Sequence, residues 1–291
     1  MHDPARPDDQ PSDGQNHMSG EAPMVKPGAP DAQAEAASGA LQDETMDGHL
    51  LGGRVSYRQF TQGYRTGIEP VLLAAFVPAR PGESIFEAGC GAGAGLLCLS
   101  ARLPAIRGVG LEADAATARL ARRNLEENGV CGRVTVLDGR IPSIPPALRQ
   151  LAPGANGRFH HAMANPPWHP ADHTGAQDDR RRLAMTMPEG GWHDWIDTLA
   201  QWVLPGGSIS LALPASVVDL ACERLRVCGF GSLILYPLWP KRGRASKIVL
   251  LRAVFQGRGY FRLLPGLVLH EDDGGYTPAC EAVLRHASPL P

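Results

Sequence analysis

The 291-residue chain is short of lysine, of aromatic residues and of long apolar runs. Lys26, Lys241 and Lys247 are the only lysines among 28 basic residues, and Phe, Trp and Tyr together make up 6%. No apolar run approaches the roughly 20 residues that a membrane-spanning helix needs. The opening Met1-His2-Asp3-Pro4 has neither the basic nor the apolar region of a secretory signal. These absences predict a cytoplasmic protein with no membrane partner. Six cysteines (Cys90, Cys98, Cys131, Cys222, Cys228, Cys280) are scattered without a Cys-x-x-Cys pair. That excludes the common zinc and redox motifs, so no metal is expected and the thiols read as reduced, mostly buried small hydrophobes.

What is present is 43% hydrophobic and 20% charged residues, enough to bury the core of one large α/β domain or two small ones. The net charge of -2 hides a split. Residues 1–50 hold ten acids and two bases, and the remainder holds 26 bases and 20 acids, so an acidic tail precedes a mildly cationic body. The tail is Pro, Gly, Ala, Asp and Gln without an aromatic residue or apolar periodicity, and cannot offset the entropy of ordering. We expect residues 1–50 to be disordered and 51–291 to form the folded domain. An arginine-heavy body suits bidentate phosphate contacts, although arginine-rich codon usage yields the same composition.

Beyond Gly53 strands and helices alternate. Runs at 84–88, 107–111, 133–137 and 159–164 read as strands, with helices at 94–103 and from the Asp114 cap to about Asn128, where Gly129 suits a left-handed terminus. Residues 141–158 read as a short helix plus loop, and 169–191 as a long polar connection. Then follow a helix (192–203), a Pro205-Gly206-Gly207 turn, a strand (208–213) and a helix (215–227). Strands at 231–238 and 247–255, with no helix between them, should form an antiparallel hairpin at the sheet edge. The expectation is an α/β fold with a mostly parallel seven-stranded sheet and an antiparallel C-terminal hairpin.

Two clusters carry chemistry. Glu87-Ala88-Gly89-Cys90-Gly91-Ala92-Gly93-Ala94 lies where a strand gives way to a helix, and its glycines allow a tight turn and close approach of a ligand. The pattern also satisfies a Gly-x-Gly-x-x-Ala dinucleotide fingerprint. A carboxylate at Glu87 would repel a pyrophosphate and tolerate the ammonium and sulfonium of S-adenosylmethionine, which favours the latter. Glu112, followed by Ala113, is placed to accept ribose hydroxyls. Asp138-Gly139 offers an acceptor for an adenine amino group. The second cluster is Asn165-Pro166-Pro167-Trp168. An exocyclic amine is a poor nucleophile because its lone pair is delocalised into the ring. The Asn165 side chain and the Pro166 carbonyl could accept both amine protons, two prolines hold that carbonyl rigid, and Trp168 offers a stacking face.

These residues, in this order, resemble the Rossmann-like class I amino-methyltransferases, and more specifically the bacterial tRNA(Val) adenine-N6-methyltransferase family. The resemblance runs from about Gly63 to Arg285. It includes Gly63-Tyr64-Arg65, Val71 to Ala75, the acidic-glycine turn, Gly110-Leu111-Glu112, Asn165 to Trp168, the Pro-Gly-Gly turn and Leu263 to Glu271. It implies S-adenosylmethionine as cofactor, held by Glu87, Gly89, Gly91, Gly93, Glu112, Ala113, Asp138 and Gly139. It also implies a target amine held by Asn165, Pro166, Pro167 and Trp168, and a tRNA substrate whose adenine follows the anticodon. Glu69 stands where such proteins usually carry Asp, and Trp168 where Tyr or Phe is commoner. The Asn-Pro-Pro-aromatic motif also serves enzymes acting on other bases and on glutamine amides. A glutamine or rRNA methyltransferase, a non-catalytic RNA-binding module and a nicotinamide-dependent oxidoreductase therefore remain as alternatives.

Cationic residues Lys241, Arg242, Arg244, Lys247, Arg252, Arg258 and Arg262 lie in a stretch from Trp239 to His270 that holds no acid. That stretch, and Arg180-Arg181-Arg182 in the long connection, suit an RNA backbone. Trp192, Trp195 and Leu199 have helical spacing and read as core. His160 and His161, without a visible carboxylate partner, read as structural.

Overall fold

The computed structural model describes residues 44–62, 65–167 and 191–291, all within one compact unit, Gly39–Pro291. It opens with a hairpin of β1 (Thr45–Leu50) and β2 (Val55–Phe60), paired antiparallel from Thr45↔Phe60 to Leu50↔Val55. Six residues assigned to a disordered tail are thus a strand. The polar run Thr-Met-Asp-Gly-His-Leu carries no strand signature of its own; cross-strand pairing with β2 supplies its order. Residues 1–43 lie outside the described residues.

The helix α1 (Glu69–Phe76) buries Val71 through Phe76 and precedes β3 (Ser84–Ala88), the glycine turn and α2 (Ala94–Arg102). Next come β4 (Arg107–Glu112) and α3 (Ala115–Glu127). Asp114 caps α3 by accepting from the Thr117 N–H at 2.7 Å, and Gly129 adopts φ 65 beyond its end. β5 (Val134–Asp138), the short α4 (Ala147–Leu151), β6 (Phe159–Ala164) and α5 (Gly191–Gln201) follow. The chain then runs through β7 (Val203–Pro214), a short 3-10 turn (Ala215–Val217), α6 (Val218–Val227), β8 (Phe230–Trp239) and β9 (Ile248–Phe255). The two-residue strands β10 (Arg262–Leu263) and β11 (Leu267–Val268) and the helix α7 (Pro278–His286) complete it.

Among the described residues the main sheet is nine-stranded, ordered β10-β8-β9-β7-β6-β3-β4-β5, with β11 also on β8. The expected seven strands are present. β9 runs antiparallel to both β7 and β8, as the missing helix implies. The additional pair β10 and β11 lies parallel along the outer edge of β8, so the hairpin edge is partly covered. Pro205-Gly206-Gly207 does not separate a helix from a new strand. It bulges within β7, whose pairing with β6 jumps from Phe159↔Val203 to His161↔Ser208, with Gly206 at φ 78.

Alternation along β3 feeds two cores. Ile85 joins the one formed by α1, α2 and α3, while Phe86 and Ala88 join Trp195, Ile196, Leu199, Ala221 and Leu225 from α5 and α6 on the other face. Trp195 and Leu199 are core, as their spacing predicts. Arg252 departs from the expected cationic surface. It is 9% exposed, donates to the Phe76 carbonyl at 2.8 Å and lies 4.6 Å over the Phe76 ring, capping the α1 C-terminus. Arg102 completes that cap through the Ala74 and Val77 carbonyls.

Candidate active site

Parallel register brings the two chemical clusters together. Ala88 pairs with Leu111 on one side and Ala164 on the other, and Glu112 pairs with Asp138. Gly89, Glu112, Asp138 and Asn165 therefore emerge at the carboxyl ends of four adjacent strands. The strand order reverses at β3, where the chain goes to β4 on one side and later to β6 on the other, leaving a crevice above the glycine turn.

The turn is built by hydrogen bonds from its neighbours. Cys90 N–H donates to the Leu111 carbonyl at 3.0 Å, Gly93 N–H to the Cys90 carbonyl at 2.9 Å, and Gly91 N–H to Glu112 Oε2 at 2.9 Å. Gly91 has φ 55, and a Cβ there would meet nothing within 4 Å, so the turn opens to free space at this residue. Gly89 answers a different demand. A Cβ there would lie 2.8 Å from the Trp195 ring, so packing against α5 excludes a side chain whether or not a ligand is bound. Gly93, with φ 90, stands at the α2 N-cap.

Glu87 is 4% exposed, with Oε2 accepting the Leu96 N–H at 3.1 Å beneath the turn. It serves as the cap that α2 lacks at Gly93, and a Cβ on Gly95 would fall 2.4 Å from Oε1. Burial pushes its pKa up to about 8, against the pull of the Leu96 N–H and with a further push from Glu112. Burial thus favours the protonated form in the ligand-free turn, and Glu87 supports the turn from beneath through its Leu96 contact.

Glu112 accepts from Gly91 N–H through one oxygen and from Asp114 N–H at 2.9 Å through the other. Burial raises its pKa while the Asp114, Gly91 and Ala113 N–H groups oppose the shift. Each carboxylate oxygen keeps a lone pair for a hydroxyl donor. Asp138 is exposed and ion-paired with Arg122, which also donates to the Val136 carbonyl at 3.0 Å. Gly139 N–H donates to the Glu112 carbonyl at 2.9 Å, and a Cβ there would lie 2.6 Å from Leu111. Open backbone at Gly91 and carboxylates on two neighbouring strand ends fit a nucleoside carrying both hydroxyls and an amine, as S-adenosylmethionine does.

Across the crevice, Asn165 Oδ1 is buried and has no hydrogen-bond partner among the described residues. Pro166 is buried and Pro167 half-buried beside it. A buried acceptor left unpaired is costly unless a ligand satisfies it. Trp168 and Arg180 to Arg182 lie outside the described residues.

Sequence reasoning missed Asn124. This fully buried amide on α3 donates to the Ala92 carbonyl in the glycine turn and to the Arg58 carbonyl on β2, both at 2.9 Å, and accepts the Arg58 N–H at 3.0 Å. One helical turn on, Asn128 exchanges hydrogen bonds with Ser56 at 3.0 and 2.7 Å. Two amides thus imitate a neighbouring strand along β2 and fasten the hairpin to the turn. His161 also differs from expectation in having a carboxylate partner. Its ring contacts Glu83 and Ser208, each at 2.8 Å, and burial lowers its pKa against the pull of Glu83. Glu83 precedes β3, so this group lies toward the amino ends of the strands, away from the crevice.

Topology also sorts the cations. β8 runs parallel to β3 and β6, so the connection from β8 to β9, carrying Lys241, Arg242, Arg244 and Lys247, lies at the same sheet edge as Asn165. Arg242, Arg244 and Lys247 are exposed and form no ion pair among the described residues. Lys241 donates to the Asp272 carbonyl at 2.9 Å.

No protein-family model matches the chain. It is 26% identical over 215 residues to a tRNA1(Val) (adenine(37)-N6)-methyltransferase of Aeromonas hydrophila, covering 73% of this chain and 85% of the relative. It is 30% identical over 187 residues to ribosomal RNA small subunit methyltransferase C of Pseudomonas aeruginosa, covering 64% of this chain and 47%, about half, of the relative. A release factor glutamine methyltransferase of Chlorobaculum tepidum is 29% identical over 124 residues, 41% of this chain and 40% of the relative. Among solved structures, a predicted O-methyltransferase of Agrobacterium tumefaciens, Atu636, matches with a TM-score of 0.61 at 24% identity over 76% of this chain and 97% of its own. The chain has the Rossmann-like methyltransferase fold and is an S-adenosylmethionine-dependent N-methyltransferase.

Proposed function

We propose that the protein methylates N6 of adenine in RNA, that the substrate is a transfer RNA, and that the target adenine follows the anticodon of a valine tRNA. The observation that carries the reading is the buried Asn165 Oδ1 at the end of β6, without a partner among the described residues and across the crevice from the glycine turn. Relatives named for tRNA and ribosomal RNA methylation support an RNA substrate.

Glu87 and the turn at Gly89, Gly91 and Gly93, with Glu112, Ala113, Asp138 and Gly139, would hold the cofactor. Bound S-adenosylmethionine supplies an electrophilic methyl group on its sulfonium. Asn165 Oδ1 accepts one proton of the target amine and the Pro166 carbonyl the other. Two acceptors aimed at those protons favour a pyramidal nitrogen and free its lone pair, and both strengthen as positive charge develops. Pro167 holds the Pro166 carbonyl in place, and Trp168 offers the base a stacking surface. The excess proton leaves to water or through Asn165. Catalysis of this kind rests on positioning and needs no strong base. The domain begins at β1, works in the cytoplasm, and uses the loop bearing Lys241, Arg242, Arg244 and Lys247, with Arg180 to Arg182, to meet RNA phosphates.

Nucleoside mass spectrometry of tRNA from a deletion strain and its parent tests the reading. Loss of N6-methyladenosine from a valine tRNA is the expected result. Unchanged tRNA together with a lost methyl group on a glutamine side chain or an rRNA base would replace it.

A further inference from the structure

The segment after β9 holds aromatic groups in water. Tyr260 is 94% exposed, Phe261 46% and Leu263 67%, and exposed Arg258 and Arg262 flank them. Their presentation is fixed at both ends. Ser232 Oγ accepts the Gly259 N–H at 2.8 Å, and the Leu264 N–H donates to the Leu235 carbonyl at 2.9 Å. A Cβ on Gly259 would stand 2.9 Å from that same hydroxyl, so the backbone lies tight against β8. Ordering a large aromatic ring without burying it forfeits the burial that normally offsets the cost, and marks a surface with a partner.

Charge chooses the partner. No acid occurs from Trp239 to His270, and Arg226 on α6 faces the same groove as Phe261, Cys222 and Leu235. Asp219, also on that groove, is the one acid lining it among the described residues. Planar rings set among guanidinium groups suit the stacked bases and phosphates of an unpaired RNA strand.

We propose that Tyr260 and Phe261, between Arg258 and Arg262, form a second RNA-binding platform remote from the catalytic crevice. The proposal rests on the RNA reading above and adds where the RNA is held. Arg262 pairs with Ile234, and Val268 with Trp239 at the catalytic end of β8. The register Ala164↔Leu211, Leu211↔Leu251 and Leu251↔Leu235 sets Asn165 level with Tyr236, so two residues along β8 and four strand spacings across to β6 put the platform about 20 Å from Asn165. An RNA strand needs about six nucleotides to span that distance at 3.4 Å each. Short substrates should therefore not feel the platform, and long ones should.

The test measures KM and kcat of the full chain for bulk tRNA and for an adenine-containing tetranucleotide, with wild type, Tyr260→Ala, Tyr260→Trp and Tyr260→Ala/Phe261→Ala. Because Tyr260 is almost wholly exposed, its single substitution leaves the fold intact. We expect the double variant to raise KM for bulk tRNA about tenfold, the scale of a lost base stack, with kcat and the tetranucleotide KM unchanged and Tyr260→Trp close to wild type. A wild-type KM for bulk tRNA in the double variant, while methylation proceeds, would overturn the platform alone. A wild-type protein that methylates no RNA would overturn the substrate reading and the platform with it.

Discussion

Replacing Asn124 by alanine tests whether the N-terminal hairpin and the glycine turn are one mechanical unit. The amide makes three hydrogen bonds at full burial, two as donor and one as acceptor. Each contributes about 1 kcal/mol net, and the Ala92 carbonyl is left unsatisfied at a further ~1 kcal/mol or more, so the loss should be about 3–5 kcal/mol. For a domain of this size each kcal/mol shifts the midpoint by about 2–4 °C, so Tm should fall by roughly 6–20 °C. Part of the loss falls on the turn, because Ala92 lies between Gly91 and Gly93. The S-adenosylmethionine dissociation constant should rise about fivefold, the equivalent of one hydrogen bond. Thermal unfolding followed by circular dichroism, with calorimetric titration of the cofactor at a temperature where the variant is folded, gives both numbers. Asn124→Asp retains the acceptor for the Arg58 N–H but buries a carboxylate against the Ala92 and Arg58 carbonyls, so above the carboxyl pKa it should be at least as destabilising as alanine. A Tm within about 2 °C of wild type, or cofactor affinity unchanged while Tm falls, would refute the coupling.

The remaining predictions concern charge. Glu112→Ala removes the acceptor for the Gly91 and Asp114 N–H groups and should weaken S-adenosylmethionine binding by about 1.5–3 kcal/mol; an unchanged calorimetric dissociation constant would move the ribose site elsewhere. Glu87 titrates near 4.3 when unfolded and is pushed up to about 8 by burial when folded. Folding therefore takes up a proton between those values, and its contribution makes stability fall as pH rises from about 4.5 to 8, then level off. Glu87→Gln, neutral throughout and still able to accept the Leu96 N–H, should lose this slope; parallel urea-unfolding curves for both proteins at pH 6 and pH 8.5 would contradict the assignment. Arg242→Ala/Arg244→Ala should reduce the slope of log affinity for tRNA against log salt by about 0.7–0.9 for each lost phosphate contact, leaving cofactor affinity alone; an unchanged slope would remove the loop from the RNA path.

What could be read from the sequence was local. The strands at 84–88 and 159–164, the Asp114 cap and the left-handed Gly129 each carry their signal within a few residues, and the structure reproduces them. The parallel sheet followed from their alternation, and the register of β3, β4, β5 and β6 then brought the two chemical clusters to one edge. What escaped depends on distant partners. Nothing in Thr45–Leu50 announces a strand until β2 lies beside it. Asn124 looks like any polar residue on an amphipathic helix, and its burial comes from a hairpin 66 residues earlier. Glu87 reads as a ligand-facing charge in sequence, and its capping of the Leu96 N–H and the burial that raises its pKa emerge only once α2 covers it. Arg252 reads as surface and is buried because the α1 carbonyls need a donor. The Thr277-Pro278 start of α7 was legible in principle, since Thr277 accepts the Cys280 N–H and proline occupies the first turn.

The most direct test of the account is Asn165→Ala, compared with wild type in cofactor titration and in single-turnover methyl transfer to tRNA. Asn165 Oδ1, unpaired among the described residues, is the acceptor assigned to the target amine. Its loss should leave S-adenosylmethionine affinity within about twofold and slow methyl transfer by roughly 10²-fold or more, the scale for removing one oriented polar group from a transition state. Methyl transfer near the wild-type rate, with cofactor bound, would contradict it.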